Sequence, residues 1–517
     1  MSSSAYAPPF SLTRWLLLTA LGALALRLWI AHALPITGDE AFFYWWGVYP
    51  DWGYSDHPPM VGWLIWLIRQ LFGDATWAIR LPIVLLPLAL GGLLWWALKP
   101  LDRERAAWAV LLLWLAPLNW LNTLITTDTP LIFWSVLSVA LLLRAEQRAA
   151  FDGRAALLYA LSGVAIGCAF LSKYFSVVLG LAYLVYFGLY RRERWAGLML
   201  IVLCALPGPL INLWWNMGHG WSNIMFNAIN RNQDAVFAWS KPLGYLGMLA
   251  YLLTPALLWL GWTQRSALRA AARQHRLVAV LLLVPFLFFA LLSARKVVGL
   301  HWVLSFYPLV FVLFAFALPP AMLRRCAQGL AAFTALHVLA VVAIGFTHLE
   351  QWQGLPRYYS MVRSFKTAEL LAQVQDSSTV PGTVLMADGY APAAAYGYTL
   401  GRYMPVFGPG KFHARQDDLL VDYAPYDGRT IRIIVSDGDT PALDGYRPYF
   451  DSVQALRFVQ SGVTFHVVEG RNFHYEAYRR GVLREVFERY YDIPRWLPMT
   501  GCPYCVRYCG QVQCPRP

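Results

Sequence analysis

Two adjacent carboxylates, Asp39 and Glu40, open the stretch Pro35 to Met60 (PITGDEAFFYWWGVYPDWGYSDHPPM). A dense aromatic run follows (Phe42, Phe43, Tyr44, Trp45, Trp46), and Asp56-His57-Pro58-Pro59 closes it. Rings of this kind settle at a membrane–water boundary, where acids are costly to desolvate and need a reason to be present. A carboxylate at an apolar edge holds a proton more tightly unless cations compensate, which suits a general base. The plainer alternative is that Asp39 caps a helix starting at Glu40. Asp128, in Thr126-Thr127-Asp128-Thr129-Pro130, is the next acid, with the same alternative because Pro130 suits a first helical turn. Two acids and several cations at one membrane face fit a reaction in which an anionic leaving group departs while an acceptor loses a proton.

The cations are Lys173, Arg295 and Lys296, each at the end of an apolar span. Long basic side chains snorkel from such positions to the interface, but together they suit a clamp for phosphate. His57, His219 and His301 lie in the same set of loops and are candidates to hydrogen-bond a phosphate or sugar, with Tyr44 and Tyr54 as further substrate contacts. A lone histidine is more often structural.

These residues need a scaffold, and the composition names its class. The 517 residues are 58% hydrophobic and 14% charged, with repeated apolar stretches of membrane-spanning length. The formal charge of +13 does not mark a nucleic-acid binder, because the Lys and Arg residues gather in short loops between spans and form no basic face. Apolar spans fall near 12–34, 81–98, 106–122, 130–144, 155–172, 174–190, 195–213, 242–262, 277–293, 301–318 and 327–347. The first is too long for a signal-peptide core and reads as a transmembrane helix. About eleven crossings with the N-terminus inside put the clusters around Arg103, Arg148, Arg192, Arg269 and Arg324 on the cytoplasmic side. Met60 to Phe72, about 13 residues, is too short to cross and is expected to lie in the membrane surface with Arg69 and Gln70 toward water. That parity collects the 35–60 loop, Asn119–Pro130, the Lys173 corner, Trp214–Lys241 and Ser293–Trp302 on the opposite side.

The sequence therefore predicts a polytopic α-helical domain over residues 1–347, with its active-site loop at 35–60, and a soluble α/β domain over 348–517 on the same outer side. Short β-type runs (Thr383–Met386, Ile431–Val435, Thr464–Val468) separated by Gly, Pro and Asp turns mark the second part. Asp437-Gly438-Asp439 has the look of a metal-binding DxD, but Asp-Gly is first a turn signal, so no metal is expected there. Cys502, Cys505, Cys509 and Cys514 suggest two disulfides in an oxidising compartment, in any of three pairings. Cys168, Cys204 and Cys326 lie in or near spans.

Taken together, GDEAFFYWWG, YSDHPPMVGWL, FGDATWAIRLP, TTDTPLIFW, LSKYFSVVLG, NLWWNMGHGW and the ARK…HW pair resemble bacterial polyprenyl-phosphate-dependent glycosyltransferases of the GT-C type. The set is similar to the protein-mannosyltransferase-like family that includes the lipid A aminoarabinose transferases, over roughly residues 10–350. The resemblance implies a bacterial inner-membrane enzyme with a polyprenyl-phosphate sugar donor, a lipid, glycan or protein acceptor at the periplasmic face, no cofactor, and inversion at the anomeric carbon. It implies Asp39 as the base or its organiser and Asp128 as the second acid. In the aminoarabinose transferases a Lys before Pro contacts the donor phosphate. His57 stands at that position here, so Lys173, Arg295 and Lys296 are left to supply the charge. A transporter of lipid-linked sugars is the rival reading, and it would place ionisable residues near mid-membrane in broken helices.

Overall fold

In the computed structural model, residues 11–229, 236–410, 416–494 and 496–510 are described. They are mostly helical with one small sheet. Contacts divide the chain into two compact units, one made of Met1–Ala33, Arg80–Gly208 and Val236–Gly345, the other of Leu34–Ile79, Pro209–Ala235 and Phe346–Pro517. The loop around Asp39 thus belongs to the same unit as the C-terminal residues.

Among the described residues eight helices are long and apolar enough to cross a membrane, from Leu12–Ala33 to Pro320–Gly345. The spans expected near 106–122, 174–190 and 301–318 form the shorter helices Arg103–Leu115, Ser176–Tyr190 and Pro308–Ala317. Large apolar side chains such as Trp259, Leu283 and Leu339 point outward, as they do where the solvent is hydrocarbon.

Packing in the first unit relies on small residues and shared hydroxyls. Gly163 and Gly167 lie one turn apart on the Gly153–Ser172 helix, the spacing that lets helix backbones approach closely in a membrane. A Cβ on Gly163 would overlap the Ile201 carbonyl oxygen. Ser138, Ser162 and Tyr183 join three helices through hydroxyl contacts of 2.9 Å. Pro87 sits inside the Leu81–Leu98 helix and lacks the N–H that would satisfy the Ile83 carbonyl. The buried Arg27 guanidinium takes that role, donating to the Ile83 carbonyl oxygen, to Val84 at 3.1 Å and to Asn119 at 3.0 Å. A second break lies at Thr254, whose φ of 58° interrupts the Ser240–Thr263 helix before Pro255. Tyr307 donates to the Leu252 carbonyl oxygen beside it at 2.6 Å.

The second unit contains a four-stranded sheet of β1 (Val384–Ala387), β2 (Ile431–Ile434), β3 (Phe450–Gln460) and β4 (Val463–Phe473). Their order is β1-β2-β4-β3, with β1 and β2 parallel and the other pairs antiparallel. β2 is buried throughout, with Ile431 and Ile433 in one core and Ile434 in another. β3 is absent from the sequence reading because its half-exposed, polar-rich residues do not resemble a buried strand. It is held by a two-residue hairpin at Ser461 and Gly462, both with positive φ (47° and 75°), which matches the twist of the flanking strands.

Two further outcomes concern this unit. Met60–Phe72 is a 13-residue helix whose exposed face carries Trp66, Leu67, Leu71 and Phe72. Arg69 is not turned to water as expected. It folds back over the Gly38–Val48 helix, donating to the Gly47 carbonyl oxygen at 2.9 Å, pairing with Asp74 and covering the Tyr44 ring. Cys502 and Cys505 form a disulfide, while Cys514 lies outside the described residues.

Candidate functional site

Asp39 stands in the first turn of the Gly38–Val48 helix, but it is not the cap. Thr37 is, in a reciprocal box: its hydroxyl accepts from the Glu40 N–H at 3.3 Å, and the Glu40 carboxylate accepts from the Thr37 N–H at 3.1 Å. Glu40, grouped with Asp39 as a catalytic acid, is fully buried and turned back on the helix start, a capping position with no access for a substrate. The residue freed from capping is Asp39. It is exposed, and its Oδ1 accepts from the Tyr390 hydroxyl at 3.1 Å.

Tyr390 begins the Tyr390–Leu400 helix that follows β1. Gly38 allows that helix to close in, since a Cβ there would sit 2.6 Å from the Ala391 methyl. Trp45 fastens the contact by donating to the Ala394 carbonyl oxygen at 3.1 Å. Beside the joint opens a cleft of about 480 Å³ lined by Thr37, Asp39, Thr76, Arg363, Tyr396 and Tyr398 among others. The sequence reading did not find Tyr390 or Arg363, and no local signal marks them, because Tyr390 is 351 residues from its partner.

The rest of the 35–60 loop is a packed platform. Tyr54 is fully buried, stacked on Trp46 at 4.3 Å, with its hydroxyl donating to the Trp46 carbonyl oxygen. Tyr44 is buried beside Asp74, to which its hydroxyl donates at 3.1 Å. Burial pushes the Tyr44 phenol up to about 12 against the pull of the Arg69 charge. Both tyrosines, expected as substrate contacts, are buried in this packing. His57 lies 3.4 Å from its neighbour Asp56, both largely buried, and Asp56 Oδ1 and His57 Nδ1 have no hydrogen-bond partner among the described residues. His219 stacks on Trp215 at 4.1 Å, its Nδ1 2.8 Å from the Trp215 carbonyl oxygen and its Nε2 4.0 Å from Asp51.

The first unit holds the other candidates. Asp128 opens the Asp128–Glu146 helix, and Lys173 caps the end of the Gly153–Ser172 helix. Lys173 Nζ lies 2.9 Å from both Asp128 oxygens, with only 12% and 9% of the two side chains exposed. His301 Nε2 is 3.9 Å from Asp128 Oδ2 and half-exposed. Phe175 sits under the Lys173 ammonium at 5.6 Å and against Trp302 at 4.4 Å. Arg295 and Lys296 follow the Arg276–Ser293 helix, and Arg295 is exposed. The Arg295 carbonyl oxygen accepts from Lys241 Nζ at 2.9 Å. The opposite end of the Asp128 helix, about 27 Å away for 19 residues, carries Glu146 bound to Arg191 and Tyr186.

The backbone arrangement matches known structures. ArnT from Cupriavidus metallidurans in the apo state aligns with a TM-score of 0.65 and 17% identity, over 88% of this chain and 98% of that one. The same protein bound to undecaprenyl phosphate aligns with a TM-score of 0.64 and 15% identity, over 89% and 98%. The chain has the GT-C fold. Residues 56–215 also match the dolichyl-phosphate-mannose-protein mannosyltransferase family, a region of the GT-C fold that includes Asp128 and Lys173. The lipid A galacturonosyltransferase RgtD of Rhizobium johnstonii is 28% identical over 262 residues, 50% of this chain and 48% of the relative. The chain thus spans about half the length of that curated relative. With eight membrane-length apolar helices among the described residues, this GT-C fold protein is a multi-pass membrane protein.

Proposed function

We propose that the protein is an inner-membrane glycosyltransferase that moves a sugar from a polyprenyl-phosphate donor to a lipid, glycan or protein acceptor at the periplasmic face. The observation that carries this reading is the state of Asp39: a carboxylate relieved of helix capping, held by one tyrosine and open to a cleft. The ArnT-like fold and the family match over 56–215 support it.

Asp39 is the base. One of its oxygens takes the proton from an acceptor hydroxyl or amine as that group attacks the anomeric carbon. The new bond forms as the bond from the anomeric carbon to the phosphate oxygen breaks, and the electron pair leaves with the polyprenyl phosphate. Inversion follows from attack opposite the leaving group. Within the first unit, Lys173, Arg295 and Lys296 carry the positive charge that suits a polyprenyl phosphate.

The test is transfer of radiolabelled sugar from undecaprenyl-phosphate donors to cell-envelope acceptors by the protein in bilayers. Wild type should label an acceptor, and Asp39→Asn should slow labelling about 10³-fold. Equal labelling by the two proteins removes Asp39 from the chemistry.

A further inference from the structure

We propose that the protein carries a second ligand site at the Glu146 end of the first unit, a cavity that takes the phosphate of an anionic membrane lipid. The inference goes beyond the transfer reaction and uses none of the residues assigned to it.

The ends of five helices meet around this cavity: Leu81–Leu98, Asp128–Glu146, Ser176–Tyr190, Arg276–Ser293 and Pro308–Ala317. They leave a space of about 350 Å³, within the range of about 300–1,000 Å³ that holds a small ligand. One wall is electrically closed. The Glu146 carboxylate, 9% exposed, accepts from the Tyr159 hydroxyl at 2.5 Å, the Tyr186 hydroxyl at 2.8 Å and Arg191 at 2.7 Å. Arg191 also meets the exposed Glu193 at 2.8 Å. These charges satisfy one another and tie the helix ends together.

Another wall is not closed. It is the start of the Arg276–Ser293 helix. A helix N-terminus is already the positive end of a dipole and favours Asp or Glu in its first turn. Here Arg276 stands first, with no acid in the first turn and no side-chain cap from His275. No Asp or Glu occurs from 235 to 349, so the helices on this side bring no counter-charge of their own. Among the described residues Arg276 makes no ion pair, and its guanidinium lies over the Tyr190 ring at 5.1 Å. The ring orients the cation without neutralising it. The His275 imidazole packs on Phe316 at 4.7 Å. Burial holds it below its ordinary value, so it stays neutral and offers one N–H. Arg276, this N–H and the uncapped backbone N–H groups form a donor set around concentrated positive charge. Phosphate oxygens are its matching acceptors.

The rest of the lining points to a lipid as the source of that phosphate. Leu98, Leu143 and Phe316 are apolar, which suits a glycerol ester better than a hydrated free ion. The helix just before, Arg265–Gln274, carries Arg265, Arg269 and Arg273 at four-residue spacing, all exposed, with Ala271 buried behind them. A basic amphipathic helix of this kind lies on an anionic lipid surface.

The test is native mass spectrometry of the full chain in a neutral detergent, titrated with phosphatidylglycerol, phosphatidylcholine or glycerol 3-phosphate. Wild type should retain a first phosphatidylglycerol about tenfold more tightly than phosphatidylcholine. Arg276→Gln should remove most of that preference, with an unchanged melting temperature in the absence of added lipid, since the side chain is exposed. Arg276→Lys should keep part of it. Arg269→Gln, which removes an equal charge outside the cavity, should change the preference by no more than about twofold. Equal retention of the two lipids by wild type, or equal losses in Arg276→Gln and Arg269→Gln, overturns the site. Glycerol 3-phosphate held as tightly as phosphatidylglycerol overturns the lipid as its occupant.

Discussion

Asp39 and Asp128 occupy the same position in two helices, the first turn, and their surroundings differ in every other respect. Asp128 is nearly buried, with an ammonium against both oxygens. Asp39 is exposed, with one neutral donor on one oxygen. An acid pinned by a bidentate cation is a fixed negative point that holds Lys173 in place; an acid touched by one phenol keeps lone pairs available for a proton. Position in a helix therefore does not decide what an aspartate does. The partners decide it, and each partner comes from a different stretch of chain.

The contrast can be broken at either end. The largest effect falls on transfer in Asp39→Asn, the roughly 10³-fold loss stated above, with an unchanged melting temperature because Thr37 and Glu40 hold the helix start. Next comes Lys173→Met, which leaves a nearly buried carboxylate unpaired and costs about 3–5 kcal/mol. Adding Asp128→Asn should restore most of that loss in a chemical-denaturation double-mutant cycle. If Lys173→Met alone is neutral, the pair is not a fixed one. Tyr390→Phe should lower kcat about tenfold with KM little changed, since it frees the rotation of Asp39 without removing a substrate contact; a change in KM alone would make Tyr390 a binding residue instead. Glu40→Ala should cost about 1 kcal/mol of stability through the capping box and leave the chemistry to Asp39.

The smallest effect concerns a third acid, Glu469, buried against Arg432 at 2.7 Å between β2 and β4. Burial alone would raise its pKa, but hydrogen bonds from Arg432 and Gln454, with the Arg432 charge, hold it below the ordinary carboxylate range. Its folded value lies below its unfolded one. The stability it contributes is therefore fully present above about pH 4.3 and disappears as pH falls through the native value. Thermal unfolding between pH 7 and pH 3 should show that loss in wild type and a flatter acid limb in Glu469→Gln.

How much of this is legible in the sequence differs by the range of the contact. The apolar spans are plain because helix length in hydrocarbon is a local property. β2 and β4 are plain from their β-branched runs. β3 is not, because FDSVQALRFVQ alternates without an apolar face. The 35–60 stretch stands out by its acids and aromatics, yet its sorting into working and framework residues does not. Whether Asp39 or Thr37 caps the helix is a choice between adjacent polar residues that backbone geometry settles. Which cation meets Asp128 depends on a chain return of 45 residues. Tyr390 and Arg363 belong to a stretch the motifs do not reach, and only the close approach at Gly38 brings Tyr390 to its aspartate.

Arg27 carries a consequence for how the chain enters its membrane. Its three carbonyl partners lie 56, 57 and 92 residues further along, so they do not exist when the first helix leaves the ribosome. An arginine within a spanning helix costs about 2.5–3.5 kcal/mol to insert alone. That penalty offsets much of what the leucines of the helix gain in lipid, and it is relieved when the Pro87 segment arrives with an unsatisfied Ile83 carbonyl of its own. Two defects, each unfavourable in isolation, cancel on meeting. Their meeting makes the order of synthesis part of the order of assembly.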